Sequence, residues 1–98
     1  MHMMPMFAVM LTYIEDKDKI ANVRPAHREH LKRQFEAGKL YHAGPYTDDT
    51  GGMAIYSAAS EDEVRSILAR DPFTTEGIIT EATVKEWQLV FNAAANVT

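Results

Sequence analysis

Met6-Phe7-Ala8-Val9-Met10-Leu11-Thr12-Tyr13-Ile14 is the stretch on which the fold turns. Side chains of an extended chain alternate sides, so Met6, Ala8, Met10 and Ile14 fall on one face and Phe7, Val9, Leu11 and Tyr13 on the other. Both faces are apolar, the pattern of a strand covered on two sides. Helices can cover only one face of a small open sheet. The other face then calls for a partner, and a second copy packed sheet to sheet is the natural candidate.

Outward from this strand, residues 15–19 are charged and read as a loop. The pattern predicts a helix over about residues 23–37, with Asn22 as its cap, Pro25 in its first turn and Gly38 in the left-handed terminating position. Residues 40–45 form a short strand ending in Gly44-Pro45, and residues 46–52, with Asp48, Asp49, Gly51 and Gly52, form a turn. Residues 53–57 return as the second strand of a hairpin. Ser60 and Glu63 have the spacing of a capping box, and Glu61 and Asp62 suit the positive end of the helix that follows. Val64, Ile67 and Leu68 are its buried stripe. Asp71-Pro72 ends it, because the residue before proline avoids helical geometry. After Gly77, residues 82–91 alternate, with Trp87, Leu89 and Phe91 on one face; Trp87 is expected on the face used for dimer packing. The order strand, helix, strand, strand, helix, strand gives an α+β, ferredoxin-like βαββαβ fold: a four-stranded antiparallel sheet with both helices on one face. The expected organisation is a leader or cloning-derived segment at 1–5, a domain at 6–92 and a loose tail at 93–98.

Composition narrows the function classes. Ninety-eight residues make one domain, and its hydrophobic fraction of 46% is ordinary for a folded chain. Ten basic against fourteen acidic residues give a formal charge of −4, which argues against a nucleic-acid partner. The basic group Arg28, Lys32 and Arg33 is interspersed with Glu29 and Glu36 and reads as a solvated helix face. The chain has no cysteine, which removes disulfides, thiolate ligands and a cysteine nucleophile. No apolar run approaches the roughly 20 residues of a membrane span, and the N-terminus lacks a secretion signal, so a cytoplasmic protein without a membrane partner is expected.

His27 is the first candidate for chemistry. It lies four residues after Val23 and four before Leu31, on a helical stripe that should include Phe35 and Gly38. An imidazole there is either a core histidine satisfied locally or a general acid–base group, since histidine titrates near neutrality. Asp71 is the carboxylate to pair with it, although helix termination alone would also account for an Asp-Pro. His27 and His30, three apart, lack the third ligand a zinc site needs, so no metal and no cofactor are expected. His30 is expected to be a partly exposed bystander.

Arg24-Pro25-Ala26-His27, then Gly44-Pro45, Gly51-Gly52, and Asp71-Pro72-Phe73 followed by Gly77, form an ordered set that resembles the YCII (YciI-like) family from about residue 6 to 91. The resemblance implies a ferredoxin-like fold, a sheet-to-sheet dimer (a dimeric α/β barrel) and an active site built on His27 and Asp71. The short Asp48-Asp49 turn is expected to reshape the cleft mouth. Arg24 would orient an anionic substrate or pair with Asp71; Tyr13, His42, Tyr46, Ser57 and Phe73 are expected to line the pocket. The implied function is a cofactor-independent enzyme that uses the His–Asp pair on a small cyclic or aromatic molecule, as an isomerase, a lyase or dehalogenase, or a hydrolase. The alternatives are a metabolite-binding or regulatory module with the same cleft, and a purely structural domain in which His27 is sealed from any cavity.

Overall fold

The structure, a computed structural model, describes residues 4–93. Residues 1–3 of the expected leader and 94–98 of the expected tail lie outside the described residues. The elements run β1 (Met6–Tyr13), α1 (Lys17–Glu36), β2 (Leu40–Pro45), β3 (Gly51–Ser57), α2 (Glu61–Ala69), α3 (Pro72–Thr75) and β4 (Ile79–Trp87). The strands form one sheet in the order β2-β3-β1-β4, every neighbouring pair antiparallel. This is the ferredoxin-like arrangement.

Strand β1 sits at the centre because it is the most apolar segment. Phe7, Val9, Leu11 and Tyr13 join one core with Ile20 from α1 and Val64, Ile67 and Leu68 from α2, which places both longer helices on the same side of the sheet. Val9 is flanked across the sheet by Ala54 and Val84, both also buried. The opposite side carries Ala8 between Ile55 and Lys85, and Met10 between Met53 and Thr83. Met53 and Trp87 are exposed on it. Among the described residues no helix is long and apolar enough to cross a membrane.

Several expected boundaries move. Helix α1 begins at Lys17, not near residue 23: the Asp16 side chain accepts the Lys19 N–H at 3.1 Å, and Ile20 anchors the first turns in the core. Asn22 is therefore inside the helix, and so is Pro25, on its exposed side, where the carbonyl it leaves unpaired can be solvated. Gly38 takes the left-handed conformation expected of it, φ 78°. Phe35, expected in the core, is 62% exposed. Strand β4 starts at Ile79 and ends at Trp87, so Leu89 and Phe91 follow it rather than belonging to it. The capping box of α2 forms with one displacement: Ser60 Oγ accepts from Glu63 N–H at 3.2 Å, while Glu63 Oε2 accepts from Ala59 N–H at 3.3 Å.

Gly51 and Gly52 are strand residues, not turn residues. A β-carbon on Gly51 would run into the Leu11 carbonyl, and one on Gly52 would lie 2.7 Å from the Tyr13 hydroxyl and 2.9 Å from the Gly44 oxygen. Two adjacent glycines are needed here because three strands approach closely, an approach any side chain would prevent. The turn itself is residues 46–50, with Asp49 at φ 61° and Asp48 Oδ1 accepting from the Thr50 N–H and hydroxyl.

Candidate functional site

Asp71-Pro72 ends α2, and it also starts α3, a single turn with Pro72 in the first position, where a missing N–H costs nothing. Asp71 caps it: Oδ1 accepts the Phe73 N–H at 2.9 Å, and the Asp71 carbonyl accepts from Thr74 and Thr75. Gly77, at φ 74°, closes the turn and lets Ile78 N–H reach the Phe73 carbonyl at 2.9 Å. The Asp-Pro-Phe…Gly spacing thus builds a rigid corner with a fixed carboxylate, 1% exposed.

His27 meets that carboxylate. Its Nδ1 lies 2.8 Å from Asp71 Oδ1 and 2.9 Å from Oδ2, joining α1 to the α3 corner across 44 residues of chain. Phe73 stacks flat on the imidazole, centroids 3.8 Å apart and planes 1° from parallel; Tyr13 meets Phe73 edge-on at 5.2 Å. With one nitrogen held by Asp71 and one face held by Phe73, the ring of His27 has a set orientation. It is 8% exposed and lines a cavity of about 560 Å³ between α1 and the β2–β3 hairpin.

Tyr13, Arg24, His42, Phe73 and Asp71 also line this cavity. Two expected lining residues do not. Tyr46 borders a neighbouring hollow with Met53 and Ile55, and Ser57 sits at the far end of β3 opposite Met6, its N–H bonded to the Lys39 carbonyl. Arg24 pairs with Asp49, not with Asp71: Nη2 lies 2.6 Å from Asp49 Oδ1. With Lys17 Nζ donating to the Asp49 carbonyl at 2.9 Å, α1 ties the hairpin turn down at one end of the cleft. Sequence reasoning missed Arg28, Leu31, Lys32 and Phe35 as cavity residues. Arg24, Arg28, Leu31 and Phe35 recur at helical spacing, which could have marked them as one face of α1 beside the buried line Ile20–His27.

Two of the cavity's phenols, Tyr13 and Tyr56, are held in the neutral form. Burial pushes the Tyr13 hydroxyl above the usual phenol range, opposed by Arg24, and burial with the Asp71 charge pushes Tyr56 up further. Among the described residues no three metal-ligating side chains gather.

His30 corrects an expectation: it is 4% exposed, and its Nε2 has no hydrogen-bond partner. It lies one helical step inside His27, against α2. Burial pushes it below the ordinary histidine value of 6.5; Arg33 and His27 add to this, while Asp71 and the Ile67 main chain oppose it. The unfolded chain therefore binds a proton at this residue more readily than the folded one. Its stability contribution is intact above about pH 6.5 and declines as pH falls below that value. His30→Leu, which removes the unpartnered nitrogen, is expected to flatten the loss of stability between about pH 7 and 5. Urea unfolding of both proteins at the two pH values checks this; parallel losses would contradict it.

A family model described as "YCII-related domain" matches residues 6–88. The protein YjpA of Bacillus subtilis (strain 168) is 36% identical over 81 residues, covering 83% of this chain and 93% of its own. The "Derivative of benzaldehyde biosynthesis cluster protein C" of Emericella nidulans is 36% identical over 74 residues, covering 64% of this chain and 76% of its own. Among solved structures, the 5-chloro-2-hydroxyhydroquinone dehydrochlorinase TftG of Burkholderia phenoliruptrix AC1100, in complex with 2,5-dihydroxybenzoquinone, superposes with a TM-score of 0.75 at 28% identity, covering 85% of this chain and 93% of its own.

Proposed function

The chain belongs to the YCII-related domain family, and from that premise we propose that it is a cofactor-independent enzyme moving a proton on a small cyclic or aromatic substrate. The observation that carries the reading is the His27–Asp71 contact at 2.8 Å on the wall of a cavity large enough for a single ring. Asp71, whose Oδ1 already accepts from the Phe73 N–H, takes the Nδ1 proton side of the imidazole and so leaves Nε2 as the basic nitrogen. Nε2 withdraws a proton from a ring O–H or C–H, and the imidazolium that results is balanced by the Asp71 carboxylate. The electron pair released into the ring has two outlets. It can take the proton back from His27 at another carbon, which is an isomerisation. Where the leaving group stands on a saturated ring carbon, as in the keto form of a phenol, it can instead expel that group with its bonding pair, which is an elimination, after which His27 gives its proton to solvent. The dehydrochlorinase named above has the same fold and acts on a chlorinated ring compound, which favours the second outlet.

The test is a screen of hydroxylated and chlorinated ring compounds, 5-chloro-2-hydroxyhydroquinone among them, followed by chloride release and by ultraviolet spectra. Turnover by the wild type and not by a His27 variant is the expected result. A compound that stabilises the protein but returns unchanged would favour a binding module instead.

The same reading includes a homodimer. Met53 and Trp87 are exposed on the sheet face that no helix covers, beside the half-buried Ala8 and Met10. Packing two such faces together removes this apolar surface from water, which drives association. Light scattering at micromolar concentration is expected to give twice the chain mass; a monomer would contradict the pairing.

A further inference from the structure

Helix α1 borders the cavity with Arg24, Arg28, Leu31, Lys32 and Phe35. Its cations are not equivalent. Arg24 is neutralised by Asp49, and Arg33 faces Glu29 at 3.9 Å and takes no part in the cavity. Arg28 and Lys32 are exposed, line the cavity, and form no ion pair among the described residues. The only carboxylate in the lining is Asp71, already committed to His27 and to the Phe73 N–H. A chain with a formal charge of −4 thus places two cations without an ion-pair partner, and no free carboxylate, at the cavity that His27 lines. A wall arranged in this way attracts and orients negative charge.

We propose that the substrate is a ring compound that is anionic at neutral pH, with its charged oxygen held by Arg28 and assisted by Lys32. Arg28 and Lys32 of the basic group are then part of the substrate site, and only Arg33 stays on a solvated face. The guanidinium fork of Arg28 suits a planar carboxylate, and it accepts an ionised ring oxygen through one arm. The uncharged part of the ligand has apolar neighbours in Leu31, Phe35 and Phe73. Drawing a proton from a ring that already carries charge raises the cost of the step, and the two cations offset it by holding that charge. The inference rests on the cavity being the substrate site and adds the ligand's charge to it.

The experiment reads binding, so its failure is separable from that of the proton-transfer reading, which is read by turnover. Isothermal titration compares 2,5-dihydroxybenzoate with 2,5-dihydroxybenzamide, and 4-nitrophenol below and above its own pKa, at low and raised salt. A tighter carboxylate than amide identifies a carboxylate ligand; a nitrophenol that binds only when ionised identifies a ring oxygen. The expected result is a preference of about tenfold for at least one charged form, weakened by salt. Arg28→Gln is expected to erase that preference while leaving the uncharged probe unchanged, Lys32→Gln to cut it about threefold, and the control Arg33→Gln to leave it intact. The proposal is overturned if no charged probe binds more tightly than its neutral form, or if Arg28→Gln and Lys32→Gln both keep the preference. It is overturned equally if Arg33→Gln reduces the preference as much as they do, because bulk charge would then be the cause.

Discussion

His27→Asn is expected to lower turnover of any ring substrate by about 10³-fold while leaving the protein folded, because it removes the base and keeps the hydrogen bond. The choice of asparagine matters. Alanine would strip Asp71 of its side-chain donor, leaving a carboxylate that is 1% exposed with the Phe73 N–H alone. A buried charge that loses its partner costs several kcal/mol, so inactivity of a His27→Ala protein would not distinguish a lost base from a lost fold. An asparagine amide occupies the place of Nδ1 and donates to Asp71 as the imidazole does, but it offers nothing at the position of Nε2. Turnover, circular dichroism and the urea midpoint measured together separate the cases. Loss of activity at an unchanged midpoint supports proton transfer by His27. Turnover within about threefold of wild type would remove the enzyme reading from this pair, since general base catalysis is worth at least 10²-fold.

The elements that built this site differed in how much of them the sequence disclosed. Local chemistry was legible. The doubly apolar run of β1 marked it as a strand, Ser60 and Glu63 marked the start of α2, and Gly38 marked the end of α1. The start of α1 was hidden because Lys17, Asp18 and Lys19 are polar and Ile20 is the single buried residue of the first turns, so periodicity had nothing to act on. Helix α3 was hidden because Asp-Pro stops one helix and starts another with the same residues, and spacing does not distinguish the two roles. The contacts that matter most were beyond any spacing rule. His27 reaches Asp71 across 44 residues, and Arg24 reaches Asp49 across 25. Helical position alone favoured a core histidine at residue 27; the ordered motifs turned the reading towards chemistry with Asp71 as its partner, and only three dimensions show how close the two lie. His30 went the other way. Its neighbours on the chain suggested an exposed helix edge, but α2 packs over it, and the cost of its unpartnered nitrogen appears only with the packing.

Asp71 serves both fold and chemistry, and two substitutions are expected to pull those roles apart. Asp71→Ala removes the cap of α3, worth about 1 kcal/mol, and leaves the Nδ1 proton of His27 without an acceptor, worth about 1–3 kcal/mol more. Its stability should therefore fall by roughly 2–4 kcal/mol, and the α3 corner should loosen. Asp71→Asn is different. Its amide oxygen can still accept the Phe73 N–H, so most of the cap survives, and unfolding should shift by about 1 kcal/mol or less. Its NH₂ group, however, now faces Nδ1 where a carboxylate oxygen stood. That NH₂ group donates to a bare Nδ1, while the amide oxygen 2.8 Å away is a weaker acceptor than the carboxylate and already takes the Phe73 N–H, so the imidazole proton is expected to move to Nε2, the nitrogen that must stay bare to act as a base. Turnover is expected to fall by about 10³-fold or more in a protein of nearly native stability. The ring-nitrogen resonances of His27, assigned by NMR, report the tautomer directly: the proton on Nδ1 in the wild type and on Nε2 in Asp71→Asn. An active Asp71→Asn protein with the proton still on Nδ1 would mean that the carboxylate only caps a helix, and that His27 is oriented by the Phe73 stack alone.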